Sequence, residues 1–276
     1  MNCFRARNNS FPLGRKTYVM GILNVTPDSF SDAGKYFDVN AAVAHALEMQ
    51  EQGADIIDIG PQSTRPGAHP VSPEIEIERL AYVLEALKGR LNVPVSVDTF
   101  YPETAEYALN NGASIVNDVS GSVEGSMAAV VNSHKAGWII MHNCGGAASQ
   151  PEYRGGVINA VRDFFEDSLK RAGELCVDRD RICLDVGIGF GKRHEDNLLL
   201  IRELRKTKIE GIALLVGASR KRLIGIAANE PEPKARDAGT VAAHSLAIAG
   251  GADIIRVHNV RQAVQAARTV EAILYG

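Results

Sequence analysis

Polar side chains recur at the ends of eight short apolar runs along this 276-residue chain. In chain order, these ends carry Asn24, Asp58, Asp98, Asn117 with Asp118, His142 with Asn143, Asp185, Ser219-Arg220-Lys221, and Arg256 with His258. A single Asp or Asn at such a position commonly caps the next helix, and we expect Asp118 to be a cap or turn residue. Capping alone does not explain polar ends on so many runs at once. Because each unpaired buried ion costs several kcal/mol, these residues must pair with one another or bind ligands.

Two groups of these residues predict two kinds of binding. The first group, near the last run and the first two, consists of Asn24, Arg256 and His258 together with Arg65 from the loop after the second run. Two guanidinium groups, an imidazole and an amide suit a phosphate or diphosphate, which arginine binds bidentately. The second group comes from the third, fourth, sixth and seventh runs and consists of Asp98, Asn117, Asp185 and Lys221. These carboxylate, carboxamide and ammonium groups suit a heteroaromatic ring with adjacent amino and ring N–H donors.

One repeated unit must position these residues: a short strand, a polar loop and an amphipathic helix. The predicted strands are Tyr18–Val25, Ala54–Gly60, Val93–Thr99, Ala113–Val119, Gly137–His142, Arg181–Gly187, Ile212–Ser219 and Ala252–Val257. Helical patterns between the strands include Val39–Gln52, Pro73–Leu91, Pro102–Asn110 and Asp237–Ala249. The strands are apolar on both faces, which is typical of a buried parallel sheet. We also expect glycine to end four helices in the left-handed conformation, at Gly53-Ala54, Gly112-Ala113, Ala136-Gly137 and Gly251-Ala252.

Eight such units fit either an open doubly wound sheet or a closed barrel. Because no GxGxxG turn follows the first strand, the sequence predicts a single α/β domain, a (β/α)8 TIM barrel, over residues 17–276. Residues 1–16 are an N-terminal extension, either disordered or a short hairpin that plugs the bottom of the barrel. Active sites of such barrels lie at the carboxyl ends of the strands, which is where the polar run ends fall.

Bulk composition excludes several classes of protein. The 30 basic and 33 acidic residues give a net charge of -3, and no basic stripe supports nucleic-acid binding. No stretch of about 18 apolar residues predicts a membrane span. Four cysteines without CxxC spacing suit a reducing compartment rather than a disulfide framework or a zinc site. Since residues 1–16 lack the apolar segment of a signal peptide, the sequence predicts a cytosolic protein.

Seven short motifs occur in barrel order: 24–32 (NVTPDSFSD), 63–67 (STRPG), 96–99 (SVDT), 117–118 (ND), 187–192 (GIGFGK), 219–221 (SRK) and 256–258 (RVH). Together they resemble the dihydropteroate synthase family over roughly residues 17–274, and the first two form a highly specific pair. The resemblance implies condensation of 7,8-dihydropterin-6-ylmethyl diphosphate with p-aminobenzoate, giving 7,8-dihydropteroate and pyrophosphate in folate biosynthesis. It also implies a homodimer and no covalent enzyme intermediate, so Cys144 is not expected to be a nucleophile.

The resemblance also implies roles for individual residues by matching position. The pterin would be held by Asp98, Asn117, Asp185 and Lys221. The diphosphate would be held by Asn24, Arg256 and His258, with Mg2+ beside Asn24. The loops carrying Asp32, Thr64 and Arg65 would close over the site and help to form the aminobenzoate pocket. The catalytic residues would then be Asp98, Asp185, Lys221 and Asp32.

The chain departs from the family pattern at several positions. The usual GGES or GAES is Gly60-Pro61-Gln62-Ser63, which loses a carboxylate. The usual Ser after Ser-Arg-Lys is Arg222. Val186 replaces a proline, Asn259 replaces the usual aspartate of RVHDV, and the usual MHMQG is Met141-His142-Asn143-Cys144-Gly145. Gln62 and Arg222 fall toward the second substrate, so the departures concern the arylamine and its sulfonamide mimics more than the pterin.

Two other functions are compatible with part of this pattern. A pterin-binding methyltransferase acting with a corrinoid protein could share the Asp and Asn grip on a pterin. Such an enzyme has no use for the NVTPDSFS and STRPG motifs or for Arg256 and His258. A catalytically silent pterin-binding paralogue is the second alternative. The intact Asn24, Asp98 and Lys221 argue against it.

Overall fold

Eight parallel strands close into a barrel in the structure, a computed structural model that describes residues 2–26, 39–62, 70–145 and 152–276. The barrel strands are β3 (Tyr18–Asn24), β4 (Ile56–Gly60), β5 (Val95–Asp98), β6 (Ile115–Asp118), β7 (Gly137–Met141), β8 (Ile182–Asp185), β9 (Ala213–Val216) and β10 (Ile254–Val257). Each strand pairs in parallel with the next, and β10 pairs with β3 to close the ring. The predicted barrel and all eight predicted strands are confirmed, each strand being one to four residues shorter than predicted.

Helices surround the barrel, and most of the large apolar core lies between them and the strands. They are α1 (Val39–Glu51), α2 (Pro73–Leu87), α3 (Pro102–Asn110), α4 (Gly125–His134), α5 (Val157–Glu174), α6 (His194–Arg202), α7 (Arg222–Ala227), α8 (Asp237–Ala249) and α9 (Val260–Tyr275). Short 3-10 turns occupy Arg179–Arg181, Leu204–Lys206 and Pro233–Arg236. Within the described part of the chain, no helix is long and apolar enough to cross a membrane.

An antiparallel hairpin, β1 (Cys3–Ala6) and β2 (Asn9–Pro12), lies across the bottom of the barrel. Its Phe4 is fully buried and packs on Gly137, the first residue of β7. A Cβ at that glycine would stand 2.6 Å from the Phe4 ring, so the close approach requires glycine. The hairpin form of the N-terminal extension is therefore confirmed, while a domain boundary at residue 16 stays a prediction.

Inside the barrel, an apolar layer lies below a polar one. Side chains alternate between the two faces of a strand, so positions two residues apart point the same way. The apolar cluster that packs on the hairpin includes Ile56, Ile115, Cys183 and Ile254. Two residues further along the same strands stand Asp58, Asn117, Asp185 and Arg256. The alternation therefore brings four polar side chains into the barrel above its apolar floor, at the carboxyl ends of the strands.

The predicted glycine ends of helices are confirmed at three of four junctions. Gly53, Gly112 and Gly251 have φ values of 97°, 105° and 98°, in the left-handed region. The prediction was wrong at Ala136-Gly137, because there the left-handed residue is Lys135, with a φ of 51°. Gly137 is needed instead for its contact with Phe4.

The hairpin floor yields a stability prediction. Replacing Phe4 with alanine should lower the free energy of unfolding by about 3–5 kcal/mol, because a fully buried ring stacked 5.8 Å from Phe11 is removed. Urea unfolding of the two proteins measures the difference. The matched control is Tyr82→Ala, which removes a 62% exposed ring from α2 and should change stability by less than about 0.5 kcal/mol. Equal losses in the two variants would show that the hairpin contributes nothing specific to the barrel.

Candidate active site

A buried ion triad lies at the centre of the polar layer. The guanidinium of Arg256 donates from Nε to Asp58 Oδ2 at 2.6 Å and from Nη2 to Asp98 Oδ2 at 2.7 Å. Asp58 is 0% exposed and Asp98 is 3% exposed. Because an uncompensated buried carboxylate costs several kcal/mol, Arg256 is the group that allows two of them to share the barrel interior.

Asp58 links the triad to a further strand and is the residue whose importance the sequence analysis missed. Besides Arg256, its Oδ2 accepts a hydrogen bond from Asn117 Nδ2 at 3.2 Å. From the sequence, Asp58 is predicted only to lie at a strand end, with no role in binding or catalysis. The available signal was an acidic residue inside the otherwise apolar run IIDIG, where strand alternation makes it face the barrel interior.

Two carboxylate oxygens of the triad can still accept hydrogen bonds, in a site from which water is largely excluded. Within the described parts of the chain, Asp58 Oδ1 and Asp98 Oδ1 are buried without a hydrogen-bond partner. Burial raises the pKa of Asp98 to about 7, because loss of hydration outweighs the attraction of Arg256. A ligand that brings N–H donors into this layer would satisfy these oxygens and favour the ionised carboxylate.

Asp185 and Lys221 form the opposite side of the polar layer. Asp185 Oδ1 accepts the backbone N–H of Gly187 at 2.8 Å, and burial raises the pKa of this carboxyl against the attraction of Lys221. Lys221 Nζ donates to the Ile188 carbonyl at 2.5 Å and lies 4.7 Å from the centre of the Phe190 ring. Burial lowers the pKa of Lys221 to about 8. The Lys221 ammonium can therefore donate hydrogen bonds. The nearby carboxylates of Asp185 and Asp98 favour its charged form at neutral pH.

Asn24 and His258 lie at the junction of the first and last barrel strands. A Cβ on Gly60 would stand 3.4 Å from Asn24 Oδ1 and 3.9 Å from the Asp98 Cβ, which places Asn24 close to the triad. His258 is hydrogen bonded through Nδ1 to Ser219 Oγ at 2.9 Å, and its backbone N–H donates to the same oxygen at 3.1 Å. Ser219 thus fixes the ring of His258 two residues beyond Arg256.

The predicted site residues that the structure describes lie together, but not as two separate groups. Arg256, assigned to a phosphate group, bonds directly to Asp98, assigned to a ring-binding group. The physical reason is that the buried guanidinium requires counter-charges, which the second group supplies. The three loop residues of the prediction, Asp32, Thr64 and Arg65, lie outside the described residues.

Two polar strand ends have structural roles. Asp118 is confirmed as a turn residue, since its Oδ1 accepts the backbone N–H of Ser120 at 2.9 Å and its Oδ2 accepts Trp138 Nε1 at 3.2 Å. His142 is buried, and burial lowers its pKa to about 3, so the ring is neutral.

Lys192, from the GIGFGK motif, donates to the carbonyl oxygens of His142, Gly187 and Phe190 at 2.9–3.1 Å and holds that loop in place.

The structure explains one departure from the family pattern, Gln62, and locates two others. Gln62 is buried, accepts the Val71 backbone N–H at 3.3 Å and lies beside the buried carboxyl of Glu76. A carboxylate at position 62 would confront Glu76 with a second buried negative charge, whereas an amide does not. Arg222 is exposed and begins α7 directly after Lys221. Val186 is buried and packs in the main core.

The described residues include no group of three or more His, Cys, Asp or Glu side chains arranged to hold a metal ion. The amide oxygen of Asn24 is the predicted ligand that the structure places at the rim. One amide oxygen cannot complete the six-oxygen shell of Mg2+, so a cation would need oxygens from a bound substrate.

Comparison with known proteins agrees with this geometry. The family model described as pterin binding enzyme matches residues 20–258. The dihydropteroate synthase of Synechocystis sp. is 45% identical over 95% of this chain and 92% of its own length. A Clostridium difficile dihydropteroate synthase solved in the presence of pteroic acid is 42% identical, with a TM-score of 0.90 over 96% of this chain and 100% of its own. The Xanthomonas albilineans enzyme solved with 4-aminobenzoic acid is 40% identical, with a TM-score of 0.89 over 95% and 94% of the two chains. The chain therefore belongs to the pterin-binding enzymes and, among them, to the dihydropteroate synthase family.

Proposed function

We propose that this barrel condenses 7,8-dihydropterin-6-ylmethyl diphosphate with p-aminobenzoate, giving 7,8-dihydropteroate and pyrophosphate. The observation that carries the proposal is the buried polar layer in which Asp98, Asn117, Asp185, Lys221 and Arg256 converge. Similar chains have been solved with pteroic acid and with 4-aminobenzoic acid, which are a close relative of the proposed product and the proposed second substrate.

The pterin ring would occupy the polar layer. Asp98 and Asp185 are acceptors for the adjacent amino and ring N–H donors of the pterin, and a carboxylate can take both donors in a fork. Asn117 offers a donor and an acceptor in the same plane, and Lys221 donates to a ring nitrogen or carbonyl oxygen. The unpartnered Oδ1 of Asp98 supports this assignment, because a ring donor would satisfy it.

The diphosphate would lie at the junction of β3 and β10. Arg256 has five N–H donors, of which the described hydrogen bonds to Asp58 and Asp98 use two, so others can reach phosphate oxygens. His258 and Asn24 flank the same junction. Asn24 would also be the protein ligand of Mg2+, which supplies positive charge to the diphosphate when it is bound. The single amide oxygen fits a cation that arrives with the substrate.

These residues favour bond breaking by stabilising charge. As the C–O bond to the diphosphate breaks, positive charge develops on the pterin methylene and negative charge on the departing pyrophosphate. Asp98 and Asp185 stabilise the cationic pterin, while Arg256 and His258 stabilise the leaving group. The aniline nitrogen of p-aminobenzoate is neutral at pH 7 and attacks the methylene, after which it loses one proton. Asp32 as a further catalytic residue, and Thr64 and Arg65 as parts of the aminobenzoate pocket, stay predictions.

We further propose a cytosolic homodimer. The four cysteines, all within the described residues, form no disulfide bonds, which fits a reducing compartment, and cell fractionation tests that location. Large apolar side chains are exposed on α7, α8 and α9, namely Ile226, Leu246, Ile273 and Leu274. Burying them against a second copy would remove apolar surface from water. Light scattering should therefore give twice the mass of one chain, and a monomer mass would refute the pairing.

Turnover with both substrates tests the proposed function. Pyrophosphate, measured with a coupled assay, should appear only when the pterin diphosphate and the arylamine are both present, and chelation of Mg2+ should slow its release. Asp98→Asn should lower kcat/KM by about ten- to a hundredfold, because a charge-assisted bond to the ring is lost. Pyrophosphate release no faster than without enzyme would refute the synthase and leave the silent paralogue.

Arg222 gives a second prediction, on the arylamine. If its guanidinium binds the aminobenzoate carboxylate at the pocket mouth, Arg222→Ser should raise the KM for p-aminobenzoate by about two- to fivefold, the scale of an exposed ion pair. The KM for the pterin substrate should stay unchanged in steady-state kinetics. The matched control is Arg202→Ser, at the far end of α6, which should leave both constants unaltered. Identical kinetics for Arg222→Ser and wild type would make Arg222 an ordinary solvated side chain.

A further inference from the structure

The loop between β9 and α7, Gly217–Lys221, is shaped by side chains that lie outside the barrel interior. Two residues on one side of α8 accept hydrogen bonds from its backbone. His244 Nε2 accepts the N–H of Ala218 at 3.1 Å, and Thr240 Oγ1 accepts the N–H of Arg220 at 3.0 Å. The backbone of this loop is thus fixed from α8 rather than from the substrate side.

The strongest contact between the loop and α8 is an ion pair at the start of the helix. Arg220 donates from Nε to Asp237 Oδ1 at 2.7 Å and from Nη2 to Asp237 Oδ2 at 2.9 Å, in the two-pronged geometry of a strong arginine–carboxylate pair. The side chains are 23% and 17% exposed. Arg220 has a φ of 57°, a left-handed conformation that is unfavourable for a residue with a Cβ. The ion pair therefore helps to hold Arg220 in a conformation that is costly for a residue with a Cβ.

A third residue completes this contact. Asn259 donates from Nδ2 to Asp237 Oδ2 at 3.0 Å, while its Oδ1 accepts the Gln262 N–H at 3.2 Å and caps α9. The aspartate usual in the family at this position could still cap α9. It would, however, face Asp237 with a second carboxylate at hydrogen-bond distance, where like charges repel. An amide at position 259 and a carboxylate at position 237 are therefore mutually compatible.

The contact controls the placement of two site residues. Lys221 follows Arg220 directly and sends its ammonium into the polar layer. Ser219 precedes Arg220 and holds the His258 ring at 2.9 Å. A change in the backbone at Arg220 would therefore move a predicted ligand of the ring and a predicted ligand of the diphosphate together.

We infer that Asp237 and Asn259 are a coupled pair of positioning residues that hold Arg220 so that Lys221 and His258 are preorganised for the pterin diphosphate. The inference rests on the proposed function for the identity of the substrate. Neither residue of the pair needs to touch the substrate. They act on the geometry of the residues that do touch it, and small displacements of such residues cause large losses of activity.

Steady-state kinetics of Asp237→Asn, Asn259→Asp and the reversed double variant test the inference. Asp237→Asn should raise the KM for the pterin substrate about tenfold, because Arg220 loses a charge-assisted fork. Asn259→Asp should also raise it, because Asp237 then faces a second carboxylate at hydrogen-bond distance in place of an amide donor. The reversed pair restores one carboxylate and one amide and should return that KM to within about threefold of wild type. The KM for p-aminobenzoate should change less than about twofold throughout.

A matched control separates positioning from a general loss of stability. Glu166→Gln removes an arginine–carboxylate pair from α5, remote from the rim, and should leave all kinetic constants unchanged. Thermal melting of every variant shows whether each is folded. Two results would overturn the inference. One is a double variant whose KM for the pterin substrate is raised by as much as the two single changes combined. The other is single variants with wild-type kinetics. If the wild type itself lacks turnover, the proposed function fails, and calorimetric pterin affinities of the same variants then decide whether the pair acts.

Discussion

The guanidinium of Arg256 is the group on which the candidate site depends. It comes from the last barrel strand, and the carboxylates that it joins come from the second and third, 198 and 158 positions away in the chain. These three side chains meet because β10 pairs with β3 and closes the barrel. Without Arg256, Asp58 and Asp98 would be two neighbouring buried negative charges, which a barrel interior does not tolerate in ionised form. Closure of the barrel therefore brings the three side chains of the triad together.

The apolar floor makes this polar layer effective. The β1–β2 hairpin seals the bottom with Phe4 and Phe11, and a layer of aliphatic residues separates it from the charges above. Exclusion of water strengthens each hydrogen bond in the layer and makes each unsatisfied oxygen costly. The same burial raises the pKa of Asp98 and lowers that of Lys221. A ligand with several N–H donors therefore gains more binding free energy in this layer than it would at the surface.

Much of the fold and of the site could be predicted from the sequence, because strand alternation and strand order are encoded locally. The run IIDIG predicts a buried strand and places Asp58 inside it. The partner of Asp58 could not be predicted, because side-chain pairing across the barrel depends on rotamers and on which charges need compensation. For the same reason, the contact of Gln62 with Glu76 and that of Asn259 with Asp237 could not be predicted. Local patterns identified the residues, and only tertiary packing showed their partners.

The most direct test of the ion triad is the pH dependence of pterin affinity, measured by calorimetry with 7,8-dihydropterin-6-ylmethanol, which lacks the diphosphate. In the wild type, affinity should fall as the pH drops below about 7, because protonated Asp98 loses its charge and an acceptor. In Arg256→Gln, the midpoint of that fall should move to higher pH by about 1–3 pH units, because two carboxylates lose their shared counter-charge. The same midpoint in both proteins would contradict a triad in which Arg256 controls the ionisation of Asp98.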